Sequence, residues 1–454
     1  MKWDVTNISW RTTSGASLGG FAYEYDALGR IVSRSHALGD TSQPSFPSCS
    51  SQKIYAYDDL DRLASDGDVA YTYDAAGNRM TRTEDGDTIT YTLGVGDRLA
   101  SYGRADSMNP PQSGSYAYDA AGNVTRIERD GKPTLDLTWN SQYQLVSVST
   151  NGAFAESYTY DALSRRVSTT TLEGTTRHIY DNNWQVIADI DEQGSVIASY
   201  TWGEGIDNLL AVNIGGATYY PLTDIQGTVW GYVDSQNNVV ARWQYDAWGN
   251  VISEYVSPSA AALAALRYRF QGREWSAATG LINFRMRWYD AETGRWLSKD
   301  PIGLSGGLNL YAFCGGDALN YLDSNGCGKV KIFTLTVKGI RKYISRDSAK
   351  KILKTGKGAT VTVEGKGVNK KAKRLAEEVT EKRVVRHDPH REGCHSHYQP
   401  KSGGFHVNVP CANIGVTMLG DGFLGNAVDF FNPLSDIQDI FDIVEELSDW
   451  QNGE

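Results

Sequence analysis

The chain has 454 residues, of which 40% are hydrophobic and 22% charged. This length exceeds the roughly 250–300 residues that one hydrophobic core supports, so we expect more than one domain. The composition excludes a disordered chain, no apolar run reaches the ~20 residues of a membrane helix, and the N-terminus lacks the apolar stretch of a secretory signal. The net charge of −10 conceals three blocks, with −14 over residues 1–328, +13 over 329–401 and −9 over 402–454.

A repeated pattern fills the first 250 residues. It reads Tyr-x-Tyr-Asp, two residues, Gly or a substitute, Asn or Arg, and an apolar residue. Its clearest copies begin at Tyr23, Tyr55, Tyr71, Tyr116 and Tyr158. The two tyrosines share one face of a strand, the Asp can bond its own backbone, and Gly or Asn supplies the positive φ of a tight turn. Each unit is therefore predicted to be a strand, a turn and a returning strand, stacked on its neighbours. A carbohydrate-binding role for the tyrosine rows is the alternative.

The segment Arg267–Gly326 carries the most specific motifs, among them RYRFQGREWSAATGL and DPIGLSGGLNLYAF. With the repeats, it resembles the RHS/YD-repeat family, which includes bacterial RHS toxins, shell proteins of toxin complexes and teneurins. The resemblance implies a YD/RHS repeat β-shell segment over residues 1–266, an RHS repeat-associated core domain over 267–327, and a variable C-terminal toxin domain over 328–454. We expect a mainly β protein, a β-hairpin shell or solenoid followed by a small α+β domain. The chain has fewer repeats than a full shell of the family, so a partial copy is expected.

The same resemblance implies self-cleavage at the end of the core domain. Asp300 matches the upstream Asp-Pro of the family, and Asp323 matches the terminal motif, with Ser324 replacing Pro and Cys327 replacing Leu beside the expected scissile bond. Two carboxylates that share a proton can act as base and acid on a peptide bond. The alternatives are non-catalytic Asp-Gly turns and cleavage mediated by the Cys327 thiol.

Composition changes abruptly at Gly328, where aromatic residues become rare and basic residues frequent. Alternating patterns predict strands over Lys331–Val337 and Ala359–Gly365, and a helical period covers Asn369–Lys382. A charge of +13 over 73 residues favours a polyanionic partner. The predicted nucleic-acid-binding residues are Lys370, Lys371, Lys373, Arg374, Arg386 and Arg391.

Five of the seven histidines lie between residues 383 and 409. Cleavage of a phosphodiester needs a base, positive charge for the phosphate and often a metal, and imidazole and guanidinium supply these functions. The arrangement loosely resembles the sites of histidine-rich nuclease toxins carried by RHS shells. The predicted catalytic residues are His387, Asp388, His390, His395, His397 and His406, and a divalent metal, Zn or Mg, would be held by His390, Cys394, His395 and His397. A structural zinc site and unrelated loop histidines are the alternatives.

The last segment, 432–454, has the apolar stripe of an amphipathic helix with acidic residues opposite, and either packs on the domain or masks the basic block. The expected partners of the whole chain are nucleic acid as substrate, a cognate immunity protein and a secretion apparatus, with no membrane span. We expect release by a signal-peptide-independent route into the cytoplasm of a target cell, and otherwise a cytoplasmic location in the producer. The alternatives are a non-enzymatic surface or shell protein with a zinc-binding tail, and a toxin that acts on protein.

Overall fold

The computed structural model describes residues 6–12, 15–38, 49–104, 112–203 and 205–327, and beyond them the backbone of seven strands. Strands dominate throughout, as the alternating aromatic patterns predict. Four short 3₁₀ segments complete the first part of the chain, at Pro258–Ala265, Phe270–Gly272, Gly303–Ser305 and Phe313–Gly316.

Twenty-three strands form one antiparallel meander, here called the repeat sheet, in which each strand pairs with the next along the chain. The two outer strands, β1 and β23, each have a single partner within the described ranges. The strands are β1 Asn7–Arg11, β2 Ser17–Tyr25, β3 Ile31–Leu38, β4 Cys49–Tyr57, β5 Leu63–Asp66, β6 Val69–Tyr73, β7 Arg79–Glu84, β8 Asp87–Leu93, β9 Leu99–Arg104, β10 Gly114–Tyr118, β11 Val124–Arg129, β12 Leu135–Trp139, β13 Leu145–Thr150, β14 Ala153–Tyr160, β15 Arg166–Thr171, β16 Gly174–Tyr180, β17 Val186–Ile190, β18 Val196–Trp202, β19 Leu209–Ile214, β20 Ala217–Thr223, β21 Val229–Val233, β22 Val239–Tyr245 and β23 Val251–Val256.

The Asp of each repeat builds the turn that follows its strand. Asp26 Oδ1 accepts from the amides of Leu28 and Arg30, both at 2.9 Å, and its Oδ2 accepts from the Arg30 side chain at 2.6 Å. The residue before the Arg or Asn has a positive φ even where it is not glycine, as at Asp61 and Ser164. The carboxylate bonds of the Asp therefore define the turn, and glycine lowers its strain.

The second aromatic residue of each repeat ties its hairpin to the preceding one. The Tyr57 hydroxyl donates to the Ile31 carbonyl at 2.6 Å, and the Tyr160 hydroxyl donates to the Leu145 carbonyl at 2.8 Å. The Trp139 indole makes the same bond at 2.6 Å. Tyr and Trp exchange at this position because each combines a large apolar ring with a hydrogen-bond donor.

Residues 267–327, here called the capping segment, cover one rim of the repeat sheet. They contain the short strands β24 Glu274–Trp275, β25 Ile282–Asn283, β26 Trp288–Asp290 and β27 Arg295–Trp296. The Asp turns that leave even-numbered strands lie at this rim, because alternate connections of an antiparallel meander fall on the same edge, whereas the turns of Asp191 and Asp234 lie at the opposite edge. Oxygens of the capping segment accept hydrogen bonds from the amides of Ile31, Val124 and Val229, after the turns that leave β2, β10 and β20, at 2.9, 2.8 and 3.0 Å.

Two apolar clusters join the capping segment to the repeat sheet. Trp288 and Leu297 pack with the aliphatic and tyrosine side chains of β8–β14, and Phe284, Tyr289 and Trp296 belong to a second cluster with those of β2–β6 and β17–β22. The curvature of the sheet brings distant strands together, since the rings of Phe21 in β2 and Trp230 in β21 lie 5.1 Å apart.

A buried charge cluster also connects the two parts. Glu274 of the capping segment contacts Arg166 of β15 and lies 3.4 Å from Arg267. Arg267 Nη2 also lies 2.9 Å from Oδ1 of Asp189 in β17. The same Asp189 oxygen lies 2.7 Å from Nδ1 of His178. Because these charges are buried, their pairing fixes the position of the capping segment against β15–β17.

Beyond residue 327 the described backbone forms two antiparallel sheets. The first contains β28 Phe333–Val337, β29 Ile340–Ile344 and β30 Thr360–Thr362. The second contains β31 Val384–His387, β32 Ser396–Pro400, β33 Phe405–Val409 and β34 Thr417–Gly420. The predicted strands near Lys331–Val337 and Ala359–Gly365 are present in shorter form, and the two predicted helices, over 369–382 and 432–454, lie outside the described residues.

Candidate junction site

Asp300 and Asp323 meet at the end of the capping segment, on either side of one guanidinium. Arg287 Nη2 lies 3.2 Å from Asp300 Oδ2 and 3.1 Å from Asp323 Oδ2. All three side chains are buried. The structure therefore brings together the two carboxylates singled out in the sequence, with a cation between them.

The chain after Asp323 folds back onto the same cation. Arg287 Nε donates to the Gly326 carbonyl oxygen, and the Cys327 amide donates to Asp323 Oδ1 at 3.2 Å and to Asn325 Oδ1 at 3.1 Å. The peptide bond between Gly326 and Cys327 is thus held at both its oxygen and its nitrogen. We call this set of residues, with Asp300 and Asp323, the junction site.

Arg287 is itself fixed by an aromatic ring and by its position on the capping segment. Its guanidinium lies 4.0 Å from the centroid of the Trp296 ring, a cation–π distance. Burial lowers the pKa of Arg287, and the negative charges of Asp323 and Asp300 oppose that shift. Arg287 was not singled out by sequence analysis, because a single sequence does not separate it from the neighbouring Arg285.

Glycines permit the close approaches that the site needs. A Cβ at position 306 would lie 2.5 Å from Asp300 Oδ2, and a Cβ at position 326 would lie 2.5 Å from the Phe284 carbonyl oxygen. Gly326 also has φ of 69°, a conformation that residues with a Cβ rarely adopt. Substitution at either position would move the carboxylate or the Gly326 carbonyl.

The thiol of Cys327 is half-buried in this charged surrounding. Burial raises the pKa of Cys327 to about 11, with Asp323 and Asp300 acting in the same direction and Arg287 against them. The thiol is therefore protonated at neutral pH, and any reaction of its sulfur requires a base.

A cavity of about 350 Å³ opens beside Asp300. Its walls come from the turns that follow β10, β12 and β14 and from the capping segment, including Tyr143, Tyr160, Arg285 and Lys299. Because Asp300 lines it and Asp323 does not, water in the cavity can reach one carboxylate of the pair.

Backbone register places four of the predicted C-terminal site residues in adjacent strands, three histidines and Arg386. His387 of β31 pairs with His397 of β32, and His397 pairs with Asn408 of β33. His406 lies two residues before Asn408 and pairs with Leu419. Arg386 pairs with Tyr398, next to the paired histidines. The other predicted residues lie outside the described ones, namely Asp388, His390, Arg391, Cys394, His395, Lys370, Lys371, Lys373 and Arg374.

Two features concern the described residues as a whole. Among them, no three His, Cys, Asp or Glu side chains come together in an arrangement that could hold a metal ion. The residues predicted to bind Zn or Mg are not among those side chains. No helix in the described ranges is both long and apolar enough to cross a membrane.

Comparison with known proteins identifies the architecture. The teneurin YD-shell family model matches residues 14–313, which is most of the repeat sheet and much of the capping segment. The chain belongs to the teneurin YD-shell family. The fold agrees with part of a solved structure, the Photorhabdus luminescens Tc holotoxin pore, at a TM-score of 0.53 and 20% identity, with 72% of this chain and 17% of that chain covered. The predicted RHS/YD-repeat resemblance and the mainly β shell are thus confirmed.

Curated relatives match this YD-shell over part of their length. The tRNA3(Ser)-specific nuclease WapA of Bacillus spizizenii is 30% identical over 57% of this chain and 11% of its own length. The double-stranded DNA deaminase toxin A of Burkholderia cenocepacia is 25% identical over 64% of this chain and 21% of its own length. The chain thus spans between about a tenth and a fifth of the length of these relatives.

Proposed function

We propose that this chain is an RHS-type polymorphic toxin segment, in which the YD-shell presents a C-terminal effector that acts on nucleic acid. Residues 328–454 would form the effector, and the domains would divide at residues 266 and 327. The observation that carries the proposal is the change at the junction, where a repeat sheet within a block of net charge −14 gives way to a block of +13. That block spans the strand positions where His387 and His397 are paired.

The charge block supplies the affinity in this proposal. Lysine and arginine side chains bind the phosphate backbone and release its counterions, which gives binding that weakens as salt rises. The predicted contacts are Lys370, Lys371, Lys373, Arg374, Arg386 and Arg391. The opposite charges of an acidic shell and a basic effector would also attract each other, which favours storage of the effector on the shell that carries it.

The histidines supply the chemistry. Cleavage of RNA through its 2′-hydroxyl needs one group to accept a proton and another to donate one, and a pair of histidines such as His387 and His397 suffices. DNA cleavage would instead use a metal, Zn or Mg, on His390, Cys394, His395 and His397, with His406 and Asp388 in support. The activities of these two relatives, a tRNA nuclease and a DNA deaminase toxin, favour nucleic acid over protein as the substrate.

The full-length chain should be incubated with tRNA and with double-stranded DNA, with and without a chelator. We expect strand cleavage that the variants His387→Ala and His397→Ala lower by at least ~100-fold. Thr336→Ala, in the other C-terminal sheet, serves as the matched control. If bases are deaminated and no strand is broken, the effector is a deaminase and not a nuclease. Nucleic acid that stays intact and unmodified would refute the proposal and favour a protein substrate or a zinc-binding tail. The same proposal includes a cognate immunity protein that is co-expressed with the chain. It also includes delivery into the cytoplasm of a target cell through a secretion apparatus.

A second proposed activity is self-cleavage at the junction site. The two buried carboxylates on one guanidinium favour it, because that guanidinium and Asp323 also hold the Gly326–Cys327 peptide bond. The purified chain should separate into a shell fragment and an effector fragment on denaturing gels. Asp300→Asn and Asp323→Asn should each leave the chain uncleaved, and cleavage that persists in both variants would refute the role of the carboxylates.

A further inference from the structure

We propose that the bond broken at the junction is Gly326–Cys327, and that Cys327 breaks it by moving the Gly326 acyl group from its own nitrogen to its own sulfur. The inference rests on the proposed self-cleavage and names its nucleophile and its bond. Water attack directed by two carboxylates would need no thiol. The contacts of the junction site instead prepare the bond on the N-terminal side of Cys327.

The Gly326 carbonyl is bound as an acyl-transfer reaction requires. Its oxygen accepts a hydrogen bond from Nε of Arg287, a buried cation. When sulfur adds to the carbonyl carbon, this oxygen becomes negative, and a fixed cationic donor stabilises that charge. The absence of a side chain at Gly326 leaves the carbon open to the sulfur of the next residue.

The leaving nitrogen is prepared as well. The Cys327 amide donates to Asp323 Oδ1 at 3.2 Å and to Asn325 Oδ1 at 3.1 Å. As the carbon–nitrogen bond weakens, the nitrogen becomes basic, and a carboxylate beside it can pass on the proton taken from the thiol. Asp300, on the same guanidinium nitrogen, is the second carboxylate available to hold that proton.

The reaction balances without an oxidant or an added cofactor. The Cys327 sulfur bonds to the Gly326 carbonyl carbon, the peptide carbon–nitrogen bond breaks, and the thiol proton ends on the Cys327 amine. The product of this rearrangement is a thioester. Water then hydrolyses the thioester, which gives a Gly326 carboxylate on the shell and a free thiol and amine on Cys327 of the effector.

The pH dependence separates this route from a purely carboxylate one. The Cys327 thiol is protonated at neutral pH, and in the thiol route an ionised carboxylate passes its proton to the leaving nitrogen, so this route does not slow as the pH rises. A carboxylate pair that shares one proton instead loses activity as the pH rises. Rates measured between pH 5 and 9 on the full chain should therefore not decrease under the thiol route, whereas they should decrease under a purely carboxylate one.

The fragments should be identified by mass spectrometry with the full-length chain, alone and with added hydroxylamine. We expect a shell fragment that ends at Gly326, a hydroxamate at that residue when hydroxylamine is present, and at least ~100-fold slower cleavage for Cys327→Ala. Cys327→Ser should cleave about tenfold more slowly through an ester, and Cys314→Ser, which removes the buried thiol elsewhere in the capping segment, should cleave normally.

The possible outcomes are distinct. A shell fragment that ends at Cys327, or unchanged cleavage of Cys327→Ala, overturns the thiol route while self-cleavage by the carboxylates stands. An intact chain after prolonged incubation with hydroxylamine at pH 8 overturns both. Thermal unfolding midpoints within experimental error for Cys327→Ala and the parent chain ensure that a loss of cleavage is not a loss of folding.

Discussion

Neutralising Glu274 should loosen the capping segment from the repeat sheet. The Glu274 carboxylate contacts Arg166 and lies 3.4 Å from Arg267 and 3.7 Å from Arg273. Arg267 retains Asp189 and Arg273 retains Asp207 when Glu274 loses its charge. Arg166, 7% exposed, has no other carboxylate partner among the ion pairs of the described residues. Glu274→Gln therefore leaves one buried guanidinium without a counter-charge.

The magnitude follows from the burial of this cluster. Burial alone would raise the pKa of Glu274, but Arg166, Arg267 and Arg273 outweigh it and hold the pKa below its usual value. Removing one partner of such a buried pair costs about 3–5 kcal/mol of unfolding free energy, mostly because the remaining charge is desolvated and unpaired. The double variant Glu274→Gln with Arg166→Met removes both charges and should recover most of the loss.

Urea unfolding followed by tryptophan fluorescence measures the change. Trp275 follows Glu274 directly and the Trp288 ring lies 5.4 Å from the Arg166 guanidinium, so two of the tryptophans that contribute to the signal lie at the affected cluster. The control is Glu128→Gln, because Glu128 and its partner Arg126 are about half exposed, and its unfolding midpoint should equal that of the parent. If Glu274→Gln unfolds at the same urea concentration as Glu128→Gln, the cluster does not hold the capping segment.

Two further predictions concern acid and the junction site. Burial and neighbouring arginines lower the pKa of His36 and of His178 to about 4. Each neutral ring therefore contributes about 3 kcal/mol to the free energy of unfolding, which is present above pH 6.5 and lost as the pH falls to 4. The melting temperatures at pH 7 and pH 4.5 should differ less in the double variant His36→Gln with His178→Gln than in the parent chain, and an equal difference would contradict this prediction. Gly306→Ala should displace the Asp300 carboxylate and slow self-cleavage at least ~10-fold in a gel assay, whereas Gly94→Ala, which has room for a Cβ, should cleave like the parent.

The hairpin units could be predicted from the sequence because their determinants are local. In Tyr-x-Tyr-Asp, the Asp bonds amides two and four residues away, so the turn depends on a few consecutive residues. The hydrogen bond from the Tyr57 hydroxyl to the Ile31 carbonyl spans 26 residues. In the sequence, the only sign of this bond is that Tyr and Trp, which both carry a hydrogen-bond donor, exchange at the second aromatic position of the repeat. The pairing register between neighbouring hairpins therefore could not be predicted from the repeat pattern.

The junction site was only half predictable for the same reason. Asp300 and Asp323 were found through motifs, but their common partner Arg287 lies 13 and 36 residues away along the chain and belongs to an unremarkable Arg-x-Arg pair. The roles of His387 and His397 remain predictions, because the backbone register pairs their positions without defining their chemistry.

The division of basic residues between arginine and lysine carries information that net charge conceals. Residues 1–328 contain 20 Arg and 4 Lys, whereas residues 329–401 contain 6 Arg and 14 Lys. In the shell, arginines lie buried over aromatic rings, as Arg269 over Trp275 at 3.5 Å and Arg79 over Trp248 at 4.1 Å. A planar, weakly hydrated guanidinium tolerates such burial, whereas lysine keeps its charge in water. The preference for arginine thus fits the internal contacts of the YD-shell, and the preference for lysine in the block that follows fits the proposed binding of that block to a polyanion.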